Sequence, residues 1–130
     1  MNPADIRARW PAAFRAIATR LSVAQLTGLA VACETGDPRL HHGGTTVPSD
    51  SHPWCRDFPA ERCCALAFTG VVVGMTTVGQ LADHFADLLL DSTAGDEWVV
   101  TVAWDELPEG EIRADLAALC RELVAERSGP

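Results

Sequence analysis

Two residue types are missing from this sequence, and positive charge is scarce. The 130-residue chain contains no lysine and no tyrosine, so all ten of its basic side chains are arginine. We interpret this usage as the codon bias of a GC-rich genome, which weakens any argument that one arginine was chosen for its bidentate geometry. Acids outnumber arginines by 18 to 10, and the net charge is −8. A protein with this net negative charge repels phosphate backbones and anionic lipids, so we expect neither nucleic acid nor a membrane as a direct partner.

The sequence also lacks a long apolar run. The longest, from Ala65 to Met75, is far shorter than the ~20 residues that a helix needs to cross a bilayer. The first ten residues, MNPADIRARW, contain charges but no apolar core of the kind that a secretory leader carries. We therefore expect a cytoplasmic protein. Its five cysteines are an odd number, and a chain of this length can bury a core without disulfides, so we expect free thiols.

Apolar residues recur mostly at helical spacing, and the length fits one domain spanning residues 1–130. Pro11 interrupts the first apolar stripe, so the first helix is expected either to bend there or to end and restart. Capping residues predict four helix N-termini, at Asn2, Ser22, Thr77 and Pro108. Ser22 and Thr77 are each followed three residues later by glutamine, which completes a capping box.

Two segments read as strands. EWVVTVAW, residues 97–104, is rich in β-branched and aromatic residues, and alternation places Trp98, Val100, Val102 and Trp104 on one buried face. GVVVGM, residues 70–75, fits a buried strand that follows a short helix. With the helices between and after them, these strands would form a C-terminal βαβα unit. Residues 36–60 show no period and are predicted to form a long central loop. The expected class is a helix-rich α+β domain with about four helices and one or two strands.

The segment HPWCRDFPAERCC, residues 52–64, gathers three cysteines and one histidine near the end of that loop. Their spacing is that of a candidate metal site, with a fourth ligand available from His41 or His42, and its proposed ligands are His52, Cys55, Cys63 and Cys64. Thiolate and imidazole together suit zinc, and no other cofactor is indicated. The alternative is that the adjacent cysteines simply begin an apolar run as small buried hydrophobes. The sequence contains no C-x-x-C pair, which weakens a thiol-redox interpretation.

Negative charge is concentrated in the second half of the chain. Residues 1–65 carry seven arginines and six acids, whereas residues 66–130 carry three arginines and twelve acids. Asp83, Asp87 and Asp91 recur every four residues, a spacing that puts like charges on one helical ridge and opposes the helix. No lysine or arginine on that ridge offsets them. We predict a partner-binding surface made of Asp83, Asp87, Asp91, Asp96, Glu97, Asp105, Glu106 and Glu109.

These features favour a small acidic binding protein that occupies a basic surface of another protein. In size, acidity and helix content the chain resembles immunity proteins, antitoxins and phage-coded inhibitors, a likeness of composition that involves no motif. The implied partner is a basic protein such as a nucleic-acid-binding effector, and no residue pattern indicates catalysis. The alternative is a small metal- or thiol-dependent protein that uses the cluster between His52 and Cys64.

Overall fold

A computed structural model of the chain describes residues 1–48, 53–90 and 97–128. Within these ranges the chain forms more helices than the four expected, namely α1 Pro3–Ala18, α2 Val23–Thr35, α3 Ala65–Val72, α4 Val78–Leu90, α5 Val99–Glu106 and α6 Glu109–Ser128. A 3-10 turn spans Pro53–Cys55, and two short strands, β1 Thr46–Val47 and β2 Arg62–Cys63, form a small sheet. The fold is therefore helix-rich with a minor two-stranded sheet. None of the described helices is both long enough and apolar enough to span a membrane.

The helix starts follow the capping residues. The backbone N–H of Asp5 donates to Asn2 Oδ1 at 2.9 Å at the start of α1. Ser22 and Gln25 form a reciprocal capping box, with distances of 3.1 and 2.9 Å between side-chain oxygens and backbone nitrogens. Thr77 forms the same box with its own glutamine at the start of α4. The predicted capping boxes are thus confirmed.

Helix α1 continues across Pro11, so it does not divide into two helices there. Proline removes one backbone donor from the helix. Packing outweighs this loss, because Trp10, Phe14 and Ile17 are all buried on the same side of α1. The first apolar stripe therefore belongs to one element.

The predicted strand at residues 97–104 is wrong, because this segment forms helix α5. Its β-branched residues suggested an extended chain, but β propensity is weak when tertiary packing favours a helix. The alternating face is also wrong, since Trp98 is 54% exposed whereas its neighbour Val99 is fully buried. The buried positions instead follow a helical period, at Val99, Val100, Ala103, Trp104 and Leu107.

The second predicted strand, at residues 70–75, is also absent. Helix α3 extends to Val72 and ends in a Schellman motif, in which the N–H of Met75 donates to the Gly70 carbonyl at 3.0 Å. Gly74 adopts the left-handed conformation that this motif requires, with φ of 97°. A chain that reverses here cannot continue as a strand, so the βαβα unit does not form.

The central loop is fastened by backbone hydrogen bonds rather than left without structure. β1 pairs antiparallel with β2, in a register that places Thr46 opposite Cys63. The N–H of Cys63 also donates to the Arg39 carbonyl at 2.8 Å, and the N–H of His41 donates back to the Cys63 carbonyl at 2.8 Å. These bonds hold the segment before β1 against the start of α3.

The core lies between the helices. Helix α6 packs mainly on α2, and α1 packs mainly on α5, while α3 contacts both α2 and α4. Helices α2 and α3 approach closely at Gly28, where an added Cβ would lie 2.6 Å from a methyl group of Val72. A side chain at this position would therefore force the two helices apart.

The replacement Trp104→Ala is expected to lower the free energy of unfolding by about 3–5 kcal/mol, the usual cost of truncating a buried aromatic side chain. Trp98→Ala is a matched control, since exposed substitutions usually change stability by no more than about 0.5 kcal/mol. Urea unfolding followed by circular dichroism measures both values. Equal losses for the two variants would contradict the helical face assigned to α5.

Candidate functional site

A cavity of about 150 Å³ lies where α1, α3, α4, α5 and α6 converge. Three aromatic residues from three different helices contribute to its wall, namely Trp10, Phe85 and Trp104. Half of the other lining residues are aliphatic, and side-chain oxygens come from Thr45, Thr101 and Asp105. An apolar cavity with a few converging polar groups is the usual form of a small-molecule site.

The loop before β1 forms one side of this cavity and is pinned to α5. Trp104 Nε1–H donates to the His41 carbonyl at 2.7 Å. The N–H of Gly43 donates to Asp105 Oδ1 at 2.8 Å. Gly43 has φ of 105°, a conformation that side chains disfavour, so glycine is required to aim this N–H at the carboxylate. Two consecutive residues of α5 therefore fix the loop.

His42 completes this contact. Its ring stacks on the Trp104 ring, with 3.9 Å between centroids and 15° between planes. His42 Nδ1 lies 2.6 Å from the Trp104 carbonyl oxygen, and Nε2 lies 3.1 Å from Arg113 Nε. The same Nε2 also lies 3.3 Å from Glu109 Oε1, so His42 contacts the tryptophan carbonyl through one ring nitrogen and the Arg113 and Glu109 side chains through the other. Arg113 also donates to Glu109 at 3.0 Å, so it bridges the histidine and the carboxylate.

The sequence pattern does not predict this arrangement, because it offers His41 and His42 only as alternative zinc ligands in an irregular loop. The partners of these residues are more than sixty positions away in the chain. The burial of Trp104, which the strand interpretation also predicts, is the one signal for this contact in the sequence. No local pattern links a His-His-Gly-Gly loop to that tryptophan.

The proposed metal ligands fall into two groups. Cys55, Cys63 and Cys64 are buried free thiols, and Cys64 Sγ accepts from the Ala67 N–H at 3.5 Å as the N-cap of α3. Burial raises the pKa of Cys63 and Cys64 to about 12, which favours the thiol over the metal-binding thiolate. His52 lies outside the described residues. Among those that are described, no three histidines, cysteines or acids cluster as a metal would require. The zinc site stays a prediction.

The residues of the predicted acidic surface lie in different environments. Asp83 accepts from Arg56 at 2.7 Å, so the expectation that the ridge lacks a basic partner is wrong at this position. Glu97 is only 6% exposed, and Glu109 pairs with Arg113. Asp91 and Asp96 lie outside the described residues. The three members that are exposed and make no ion pair within the described ranges are Asp87, Asp105 and Glu106, here called the exposed carboxylate set.

Most arginines are engaged elsewhere in the molecule. Arg7 pairs with Glu111 at 2.8 Å, and Arg121 pairs with Glu34 at 2.7 Å, with the pKa of both carboxyls lowered mainly by these hydrogen bonds. Three further arginines contact backbone carbonyls or carboxylates: Arg20 contacts the Leu88 carbonyl, Arg127 contacts the Leu21 carbonyl, and Arg15 pairs with both Glu122 and Glu126. These arginines link helices to one another, and none of them forms an ion pair with a side chain of the exposed carboxylate set within the described residues.

Native thiols are expected to react slowly with Ellman's reagent at mildly alkaline pH. All five are buried, and burial raises the pKa of four of them from 9.0 to about 12, those of Cys33, Cys63, Cys64 and Cys120. Because these four thiols have a higher pKa in the folded chain than in the unfolded chain, they stabilise the folded state below pH 9, and this stabilisation is lost as the pH rises towards 12. Guanidinium chloride should release all five thiols at the rate of free cysteine. A thiol that reacts at that rate in the native protein would contradict this description.

No protein-family model matches the chain, and comparisons with curated proteins and with solved structures found no similar protein.

Proposed function

We propose that this protein acts in the cytoplasm by binding a basic surface of another protein. The observation that carries the proposal is the unequal use of charge. Arginines pair with acids or helix-end carbonyls within the molecule, whereas no side chain of the exposed carboxylate set on α4 and α5 forms an ion pair within the described residues. The Arg20 guanidinium lies beside Asp87, but it donates to backbone carbonyls at the end of α4. A negative field that the protein does not neutralise itself is available to a positively charged partner.

The positions of these carboxylates strengthen the argument. Asp87 lies in the last turn of α4, and Asp105 and Glu106 are the last two residues of α5. The C-terminal end of a helix is partially negative, so a carboxylate there opposes the dipole by about 0.3–1 kcal/mol. Asp105 recovers part of this cost through the Gly43 N–H, whereas Glu106 has no such bond within the described residues. Locally unfavourable residues are typical of functional surfaces.

The partner that suits this surface is a nucleic-acid-binding effector. Such a protein already carries a basic groove that attracts phosphates, and an anionic protein can occupy that groove in their place. Complementary charge chiefly raises the association rate and makes it dependent on salt. The functional class is then inhibitor-like, as in immunity proteins and antitoxins.

Reversing the charge of Asp87 and Glu106 together, to arginine, is expected to slow association by about tenfold and to flatten its salt dependence. The matched control is Asp57→Arg with Glu61→Arg, which changes the net charge equally at two exposed positions outside α4 and α5. The melting temperature of the first variant should be unchanged or higher, because it removes carboxylates from helix C-termini.

The experiment begins with quantitative affinity purification from the producing cell, using wild type and both double variants as baits. The expected partner is a basic protein that wild type and the control retain and the Asp87/Glu106 variant loses. Association kinetics with the recombinant partner are then measured across a salt titration. Equal recovery by all three baits, or rates that do not respond to salt, would overturn the proposal.

A further inference from the structure

We propose that the cavity beside Asp105 binds a small molecule in which an apolar ring carries a cationic amine. This inference goes beyond protein binding and rests on the cavity alone. Its volume of about 150 Å³ matches that of an apolar protein cavity known to hold one benzene ring. The ligand class therefore has a ring of roughly that size.

The aromatic wall is held in place before any ligand arrives. The Trp104 side chain is fixed by its hydrogen bond to His41, by the stacked His42 ring and by the Arg113 guanidinium, which lies 5.8 Å from the tryptophan ring centroid. Trp10 is also buried, and it reaches the cavity from α1. A wall that is already ordered loses little conformational entropy on binding.

The charge of the cavity selects a cation. Asp105 is the one charged side chain among the described lining residues. Its Oδ1 accepts from the Gly43 N–H, and its Oδ2 accepts no hydrogen bond from the described part of the chain. An ammonium group at that oxygen would form a charge-assisted hydrogen bond, and a carboxylate would be repelled. Cys64 also lines the cavity, and because burial and the Asp105 charge both raise its pKa, it stays an uncharged thiol and adds no second anion.

A simple packing defect explains these features less well. An empty apolar cavity lowers stability, because the lining atoms lose their contacts. Here the cavity is bordered by a polar loop that Gly43, Trp104 and Asp105 hold in a defined position. A built rim around an apolar space with one carboxylate is the arrangement of a site that orients a ligand by its polar end.

Three probes that share one ring test the proposal: benzylamine, benzyl alcohol and benzoate. Tryptophan fluorescence reports occupancy, since Trp10 and Trp104 line the cavity, and ligand-dependent melting gives an independent measure. Benzylamine is expected to bind about tenfold more tightly than benzyl alcohol, and benzoate should bind weakest. Equal binding of benzylamine and benzoate, or no binding of any probe at millimolar concentration, overturns the proposal.

A matched pair of variants isolates the carboxylate. Asp105→Asn keeps an oxygen for the Gly43 N–H but removes the charge, and it should reduce benzylamine affinity about tenfold, to the level of benzyl alcohol. Glu106→Gln removes the same charge one residue away, at a position that does not line the cavity, and should leave binding unchanged. Equal effects of the two variants would mean that benzylamine senses only the general negative field.

A third variant, Val100→Phe, fills the cavity from α5 and should abolish binding of both benzylamine and benzyl alcohol. Circular dichroism and thermal melting establish that it folds. If the folded variant still binds benzylamine like wild type, the ligand lies elsewhere and the proposal fails. If it does not fold, the Asp105 and Glu106 pair decides the outcome, because both of those side chains are exposed.

Discussion

The contact between Trp104 and the loop before β1 is the interaction on which the candidate site depends. The Trp104 indole is buried in the core, donates a hydrogen bond to the His41 carbonyl and stacks on the His42 ring. The backbone carbonyl of Trp104 lies within hydrogen-bonding distance of that histidine. The carboxylate of the next residue, Asp105, accepts a hydrogen bond from the Gly43 N–H. These contacts hold the loop against α5, whereas backbone bonds, such as that from the Cys64 N–H to the Thr45 carbonyl at 2.9 Å, hold it against β2 and the start of α3.

Trp104 therefore contributes both to the stability of the fold and to the proposed binding site. A buried aromatic side chain is usually a packing element, and a cavity wall is usually a binding element. Trp104 serves both, because the cavity lies at the meeting point of the helices and not on a peripheral loop. Substitutions that disturb the site through Trp104 will therefore also disturb the fold, whereas Asp105→Asn changes an exposed side chain and keeps an oxygen for the Gly43 N–H. The carboxylate is consequently the more informative position for separating the two effects.

Local chemistry was predictable from the sequence, and long-range placement was not. Capping residues correctly gave the starts of α1, α2 and α4, because their hydrogen bonds are satisfied within one turn. The β-branched residues of the α5 segment predict a strand, whereas its buried positions follow the period of a helix packed on the core. The pairing of Asp83 with Arg56 spans 27 positions, so no ridge pattern could reveal that this acid is neutralised.

The long-range contacts of the candidate site residues were likewise not predictable from the sequence. Charge alone placed Asp105 and Glu106 in the predicted partner-binding surface, and charge alone does not distinguish the different environments of these two neighbours. Both side chains are exposed, but Asp105 lines the cavity and accepts from the Gly43 N–H, whereas Glu106 does not line the cavity. The His42 contact has no signal in sequence, because a histidine beside glycines in an irregular loop is typical of exposed chain.

The two proposed activities share the end of α5, and this proximity gives them a definite relation. A cation bound at Asp105 neutralises one of the three carboxylates that would face a basic partner. Its presence therefore lowers the negative potential at the surface and weakens the attraction of that partner. Thermodynamic linkage makes the effect reciprocal, so a bound basic partner must lower the affinity of the cavity for the cation by the same factor. A cavity ligand and a protein partner would thus compete through charge without occupying the same space.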